Sequence, residues 1–310
     1  VTGIAAVVAY ASGRFAEVLR AVDESMALQA TVGKQEWARL TTGGSYETTV
    51  LRQCRLMALA YLGRCNELRH DFHDWLQDAR RRGDLFTAAN ASRGLNIVWL
   101  FEDDPERARR ELSVDQWTPP QQSFHIQHWM VLRSALHIEL YCGTAARARN
   151  ELAPELERSK RALLMRVCPL RAEQHWMVGR LALAEAGAVR SGRSAVRRAH
   201  RQVRRAARGL RRLNLPQSKT AAALLRAGVA FQRGDLDSAL EQLLRAEAIA
   251  SRASLRLMEA AAQRRRGQLI GGSAGAELIG AVDDWASQQG ICAPDKIIRM
   301  YAPGFEPDET

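Results

Sequence analysis

The stretch Arg233–Leu244, RGDLDSALEQLL, decides the fold. Its Gly-Asp pair is turn chemistry, because Gly tolerates positive φ and Asp caps the helix that follows. Behind the turn, Ala239, Leu243 and Ala246 fall at i, i+4 and i+7, which is one face of a helix. The small residue lets a neighbouring helix cross closely, and the larger one fills the layer between. Four more strings repeat the design: ASGRFAEVL, LGRCNEL, EDDPERARREL and CGTAARARNEL. The five turns sit at Gly13, Gly63, Asp103, Gly143 and Gly234, so their separations are 50, 40, 40 and 91, the last close to two periods. Strict alternation is scarce, whereas Ala, Leu, Arg and Glu recur at spacings of three and four, which is helical sequence almost throughout.

A period of about 40–50 residues built from two helices marks an α-solenoid. The expected fold is all-α, an α-solenoid of roughly seven tetratricopeptide-like helical hairpins. It fills residues 1–310 as a single helical-repeat domain with no convincing linker. Pro105, Pro169 and Pro216 stand where the first turn of a helix tolerates a missing N–H. The chain begins with Val, which is read as a C-terminal piece cut from a longer protein.

Composition narrows the class. Apolar residues make up 46% and charged residues 25%, both ordinary for a folded protein. No apolar run approaches the roughly 18 residues of a membrane span, and VTGIAAVVAYASG lacks the basic start of a signal peptide. The five cysteines form an odd set without C-x-x-C or zinc spacing, so reduced thiols and a cytoplasmic location are expected. Net charge is +11, but no acid occurs between Glu185 and Asp235, an interval that holds thirteen Arg and Lys. The rest of the chain therefore carries a slight excess of acid. Only four of the 45 basic residues are lysine, which points to a GC-rich bacterial genome as much as to guanidinium chemistry.

The strings RRGDLFTAANASRG, EDDPERARRELS, SFHIQHWMVLRSALHIELYCG, SKRALLMRV and the ending WASQQGICAPDKIIRMYAPGF together resemble one family. It is the helical C-terminal region of large bacterial serine/threonine protein kinases, in which a kinase domain and an ATPase module precede a tetratricopeptide-like array. The resemblance runs from about Arg82 to Phe305. It implies a role as a partner-binding or autoregulatory scaffold and supplies no ligand. The catalytic equipment of such proteins does not occur here: there is no His-Arg-Asp loop, no Asp-Phe-Gly, and GGSAGAELIG lacks the lysine of a phosphate loop. Neither enzyme activity nor a cofactor is expected.

Two His pairs invite a metal reading: His70 and His73 in HDFHD, and His125 and His128 in HIQH. Each pair shares a helical face, yet no third ligand is fixed by spacing, and no metal site is assigned. A partner-binding groove is the better candidate. In the tetratricopeptide register, the outward positions of the first helices carry Gln53 and Tyr61, then Asn90 and Arg93, then Arg133, His137 and Tyr141. Polar groups with aromatic tips suit the capture of an extended peptide, though they serve equally to solvate a concave face or to pack between repeats.

The second candidate is the basic helix 194–213. Drawn on a wheel, Val196, Ala199, Val203, Ala206, Ala207, Leu210 and Leu213 fall within about 120°. Arg197, Arg198, Arg201, Arg204, Arg205, Arg208, Arg211 and Arg212 fill a separate arc of about 140°. Like charges repeated at i,i+4 cost about 0.2–0.5 kcal/mol per pair, a cost relieved by a nearby anionic surface. That surface is either an acidic protein, an upstream domain of the same chain included, or the phosphates of nucleic acid. No aromatic residue lies between Trp176 and Phe231 to stack on bases, so a protein or peptide partner is favoured over nucleic acid.

Overall fold

All five marked turns adopt the left-handed conformation that their residues suit: φ is 72° at Gly13, 69° at Gly63, 55° at Asp103, 78° at Gly143 and 75° at Gly234. The computed structural model describes residues 2–32, 44–114, 123–188 and 192–305. Arg190 lies outside them. Among the described residues the chain forms sixteen α-helices and no strand. They are α1 Thr2–Ala11, α2 Phe15–Val32, α3 Gly44–Leu62, α4 Cys65–Arg81, α5 Leu85–Gly94, α6 Ile97–Phe101, α7 Pro105–Val114 and α8 Ile126–Cys142. There follow α9 Ala145–Arg161, α10 Cys168–Ala188, α11 Arg193–Leu213, α12 Pro216–Phe231, α13 Leu236–Arg252, α14 Arg256–Ile270, α15 Gly272–Gln288 and α16 Pro294–Tyr301. None of the described helices is long and apolar enough to cross a membrane.

Local chemistry places these boundaries. Three turns share one device, a left-handed residue followed by an Asp that caps the next helix. Asp84 Oδ1 accepts from the Thr87 amide at 3.0 Å, Asp104 Oδ1 from Arg107 at 2.8 Å, and Asp235 Oδ1 from Ser238 at 3.1 Å. Pro105, Pro216 and Pro294 open α7, α12 and α16, where a proline forfeits no helical hydrogen bond.

Neighbouring helices then pack in pairs: α1 on α2, α8 on α9, α10 on α11, α12 on α13 and α14 on α15. Small residues set their separation. A side chain at Gly179 of α10 would come within 2.5 Å of Leu225 on α12 and 3.2 Å of Ala206 on α11. Ala239, Leu243, Ala246 and Ala250 of α13 are fully buried, as the opening register requires.

Helices distant in sequence also pack together. Helix α14 packs on α3, and α16 packs on α8 and α14. Gln289 Oε1 accepts from the Cys65 amide at 3.0 Å, and Arg69 Nη1 donates to the Gly290 carbonyl at 3.1 Å. The C-terminal residues then run through the interior. Arg180 Nη1 donates to the carbonyl of Met300 at 2.9 Å, Arg265 Nε to that of Ala302 at 2.9 Å, and Gln232 Nε2 to that of Gly304 at 3.2 Å. Alternate carbonyls of one segment are thus held by donors from α10, α14 and the residue that follows α12. Phe305 stacks on Phe231 with centroids 5.2 Å apart.

Candidate functional site

Burial overturns the expectation of an open groove. Of the seven groove residues, Asn90, Arg93, Arg133 and Tyr141 are buried, and Gln53, Tyr61 and His137 are half-buried. Their side chains and backbone meet other parts of the chain. Asn90 Oδ1 faces Gln127 Nε2 at 3.4 Å, and the Arg93 carbonyl accepts from Ser134 Oγ at 2.6 Å. Tyr141 donates to Asp103 Oδ1 at 2.6 Å, an oxygen that also takes Lys296 Nζ at 2.8 Å. Gln53 lies against Gly94. These four serve packing and helix-to-helix tethering.

Tyr61, Arg133 and His137 come together around a partly open cavity of about 40 Å³ that Glu173, Trp176, Arg180 and Tyr301 also line. Arg133 Nη1 reaches Glu173 Oε2 at 3.1 Å, and its Nη2 bonds the Gly94 carbonyl. Tyr61 donates to Glu173 Oε1 at 3.1 Å and stacks on Phe15 with centroids 4.2 Å apart. Arg180 lies over the Trp176 ring, 4.1 Å from its centroid, and its Nη2 is 3.1 Å from His137 Nε2. Arginine can only donate, so that imidazole nitrogen accepts and His137 is neutral. Burial, with Arg180 and Arg133 nearby, holds the His137 pKa well below its usual range. Burial also pulls the Arg180 guanidinium down to about 10 and pushes the hydroxyls of Tyr61 and Tyr301 up.

Glu173, Arg180 and Tyr301 were not anticipated, though the sequence carries a signal for two of them. Helix α10 is apolar on every side, as in QHWMVGRLALAEA, and such a helix is buried all round. An Arg or Glu within it must then meet a partner in the interior.

The basic helix is placed as its pattern predicts. Ala199, Val203, Ala206, Ala207 and Leu210 are buried, while all eight arginines, from Arg197 to Arg212, are exposed. Among the described residues none of the eight forms an ion pair. His200, absent from the predicted stripe, is also buried, with Nε2 2.8 Å from Gln232 Oε1. The basic surface extends beyond α11. Arg211, Lys219 and Arg226 meet Arg245 of α13 around a cleft of about 170 Å³ floored by Ala222 and Ala223, with no carboxylate in its lining.

Neither His pair gathers further ligands. His70 is exposed beside Asp74 at 3.4 Å, whereas His73 Nε2 meets Glu102 Oε1 at 3.0 Å. His128 Nδ1 accepts from the His125 amide at 3.0 Å and so caps α8. Among the described residues no three His, Cys, Asp or Glu side chains gather as a metal site would require.

No protein-family model, curated protein or solved structure matches this chain.

Proposed function

We propose that this chain is a non-catalytic helical-repeat scaffold: the docking and regulatory region of a larger bacterial signalling protein, of the kind found C-terminal to serine/threonine kinases. Its paired helices are read as tetratricopeptide-like hairpins of an α-solenoid, roughly seven in all. The left-handed turns recurring every 40 to 50 residues support that reading. Cytoplasmic residence follows from the same reading.

The observation that carries the function is the face of α11. Eight guanidiniums point to solvent, joined by Lys219, Arg226 and Arg245, with no ion pair among the described residues. An ordinary solvated helix mixes signs, because like charges at i,i+4 repel. Here the repulsion is retained from Arg197 to Arg212, a little over four turns, so the surface suits an acidic protein partner or an acidic upstream domain of the same chain. The interior no longer serves as a peptide groove, since residues 300–305 occupy it.

Fluorescence anisotropy tests this directly. A labelled Glu-rich peptide and a labelled DNA duplex are titrated with the protein at about 50 and about 200 mM salt, beside a variant with Arg197, Arg201, Arg204 and Arg208 changed to Gln. Peptide binding that disappears in the variant is the expected result. Tight, steeply salt-dependent DNA binding that outcompetes the peptide moves the surface to a phosphate-contacting role. Binding to neither probe refutes docking through this face.

A further inference from the structure

The cavity between α3, α8 and α10 carries an imbalance of charge. The charged side chains that line it are Arg133, Arg180 and Glu173, two cations to one carboxylate. Glu173 belongs to Arg133, at 3.1 Å, and among the described residues Arg180 has no carboxylate within ion-pair distance. Arg180 is 1% exposed and Arg133 8%. A buried guanidinium without a counter-charge is among the costliest things a fold can retain, and carbonyls and an aromatic face compensate only part of that cost. His137 adds no negative charge, because it is neutral and accepts from Arg180.

Both guanidiniums also keep a donor in reserve. Arg133 Nε and Arg180 Nε are buried and have no hydrogen-bond partner among the described residues. Two arginines therefore converge on one cavity with unspent N–H groups and a surplus positive charge. The space is small: about 40 Å³ accommodates a few water-sized particles, at about 10–15 Å³ apiece. Nucleotides, sugars and phosphate esters do not fit. Trp176 and Tyr301 wall the cavity with apolar surface, which strengthens any charge pairing within it.

We propose that this cavity is a binding site for one small monovalent anion, a halide or a carboxylate of formate size, held between the Arg180 and Arg133 guanidiniums. The ion neutralises the surplus charge and locks α10 to the C-terminal segment, which Arg180 holds through the Met300 carbonyl. Weakly hydrated guanidiniums suit such a buried contact better than ammonium groups do.

The test uses the whole chain. Melting is followed at constant ionic strength in sodium chloride, sodium formate and sodium gluconate, gluconate being too large for the cavity. Crystals grown in bromide then locate the ion by anomalous scattering. Binding predicts a melting temperature higher by about 2–4 °C in the stabilising salt than in gluconate. It also predicts bromide density within hydrogen-bonding distance of Arg180 if the ion is a halide. Stabilisation by formate and not chloride identifies a carboxylate, in which case formate density replaces the bromide peak. The surface variant with four α11 arginines changed to Gln keeps the shift, which separates the cavity from the basic face. Arg180→Gln abolishes it; should that variant fail to fold, the wild-type density decides alone. Equal melting in all three salts, or density confined to the surface, overturns the site. A bromide peak without stabilisation by chloride marks an adventitious ion and overturns it equally.

Discussion

Arg180 Nη1 donates to the carbonyl oxygen of Met300 at 2.9 Å, across 120 positions of sequence. The contact ties the middle of the array to its last helix. Replacing Arg180 by Met keeps much of the apolar bulk but leaves a buried carbonyl without this donor, at about 1–3 kcal/mol. The C-terminal segment should then open locally more often than the molecule unfolds. Limited trypsinolysis of Arg180→Met is expected to show faster cleavage at Arg299 relative to exposed Arg201, together with a lower melting temperature. Cleavage at Arg299 at the wild-type rate would mean that Arg265 and Gln232 hold the segment without it.

Glu173 is the carboxylate of the interior cluster, accepting from both Arg133 and Tyr61. Glu173→Gln removes the counter-charge while leaving an acceptor in place, so the loss reports the charge itself. A buried guanidinium stripped of its partner costs about 3–5 kcal/mol. Adding Arg133→Met should recover a large part of that, because the unpaired cation is then gone. Urea unfolding of the two single variants and the double variant measures the coupling, and additive losses would show that the pair is not interacting.

The sequence made local features legible and left long-range ones obscure, and the boundary is physical. Gly13, Gly63, Asp103, Gly143 and Gly234 could be found because a left-handed turn depends on the residue at the turn. The two faces of α11 could be found because a helical wheel depends only on spacing. What a wheel cannot supply is which helices distant in sequence pack together. Spacing places Arg133 and Asn90 on an open concave face, yet Arg133 is buried against Glu173 of α10 and Asn90 against Gln127 of α8. Turns at Gly83, Asn214, Ser254 and Gly290 went unmarked, although Asn and Gly are the residues most tolerant of positive φ. They alternate with the marked turns: Gly83 lies midway between Gly63 and Asp103, and Asn214 and Ser254, themselves 40 residues apart, flank Gly234.

The register itself can be challenged at Ala239, which is fully buried where α13 meets its neighbours. Ala239→Trp forces an indole into a site sized for a methyl group, at a cost of about 1–3 kcal/mol or more. Ala248, nine residues further along the same helix, is exposed, and Ala248→Trp should stay within about 0.5 kcal/mol of wild type. Thermal melts of the two variants separate packing from any general dislike of Trp in this helix. Equal melting temperatures would place Ala239 on the wrong face.

His137 gives the molecule a predictable response to acid. Its folded pKa lies well below the ordinary imidazole value of 6.5, first through burial and then through Arg180 and Arg133. Below about pH 6.5 the unfolded chain binds a proton at this position that the folded chain refuses. Stability contributed by His137 is therefore fully present above pH 6.5 and is lost as the pH falls from there toward the folded pKa. The slope approaches about 1.4 kcal/mol per pH unit for one such group. His128 and His175 are shifted in the same direction, both chiefly by burial, and add to the loss. His137→Gln preserves an acceptor for Arg180 and removes the titration. Unfolding free energies measured between about pH 7 and about pH 5 should fall less steeply in that variant than in wild type. An unchanged slope would mean that the interior opens to water before His137 is protonated, and that the acid response belongs to the other two imidazoles.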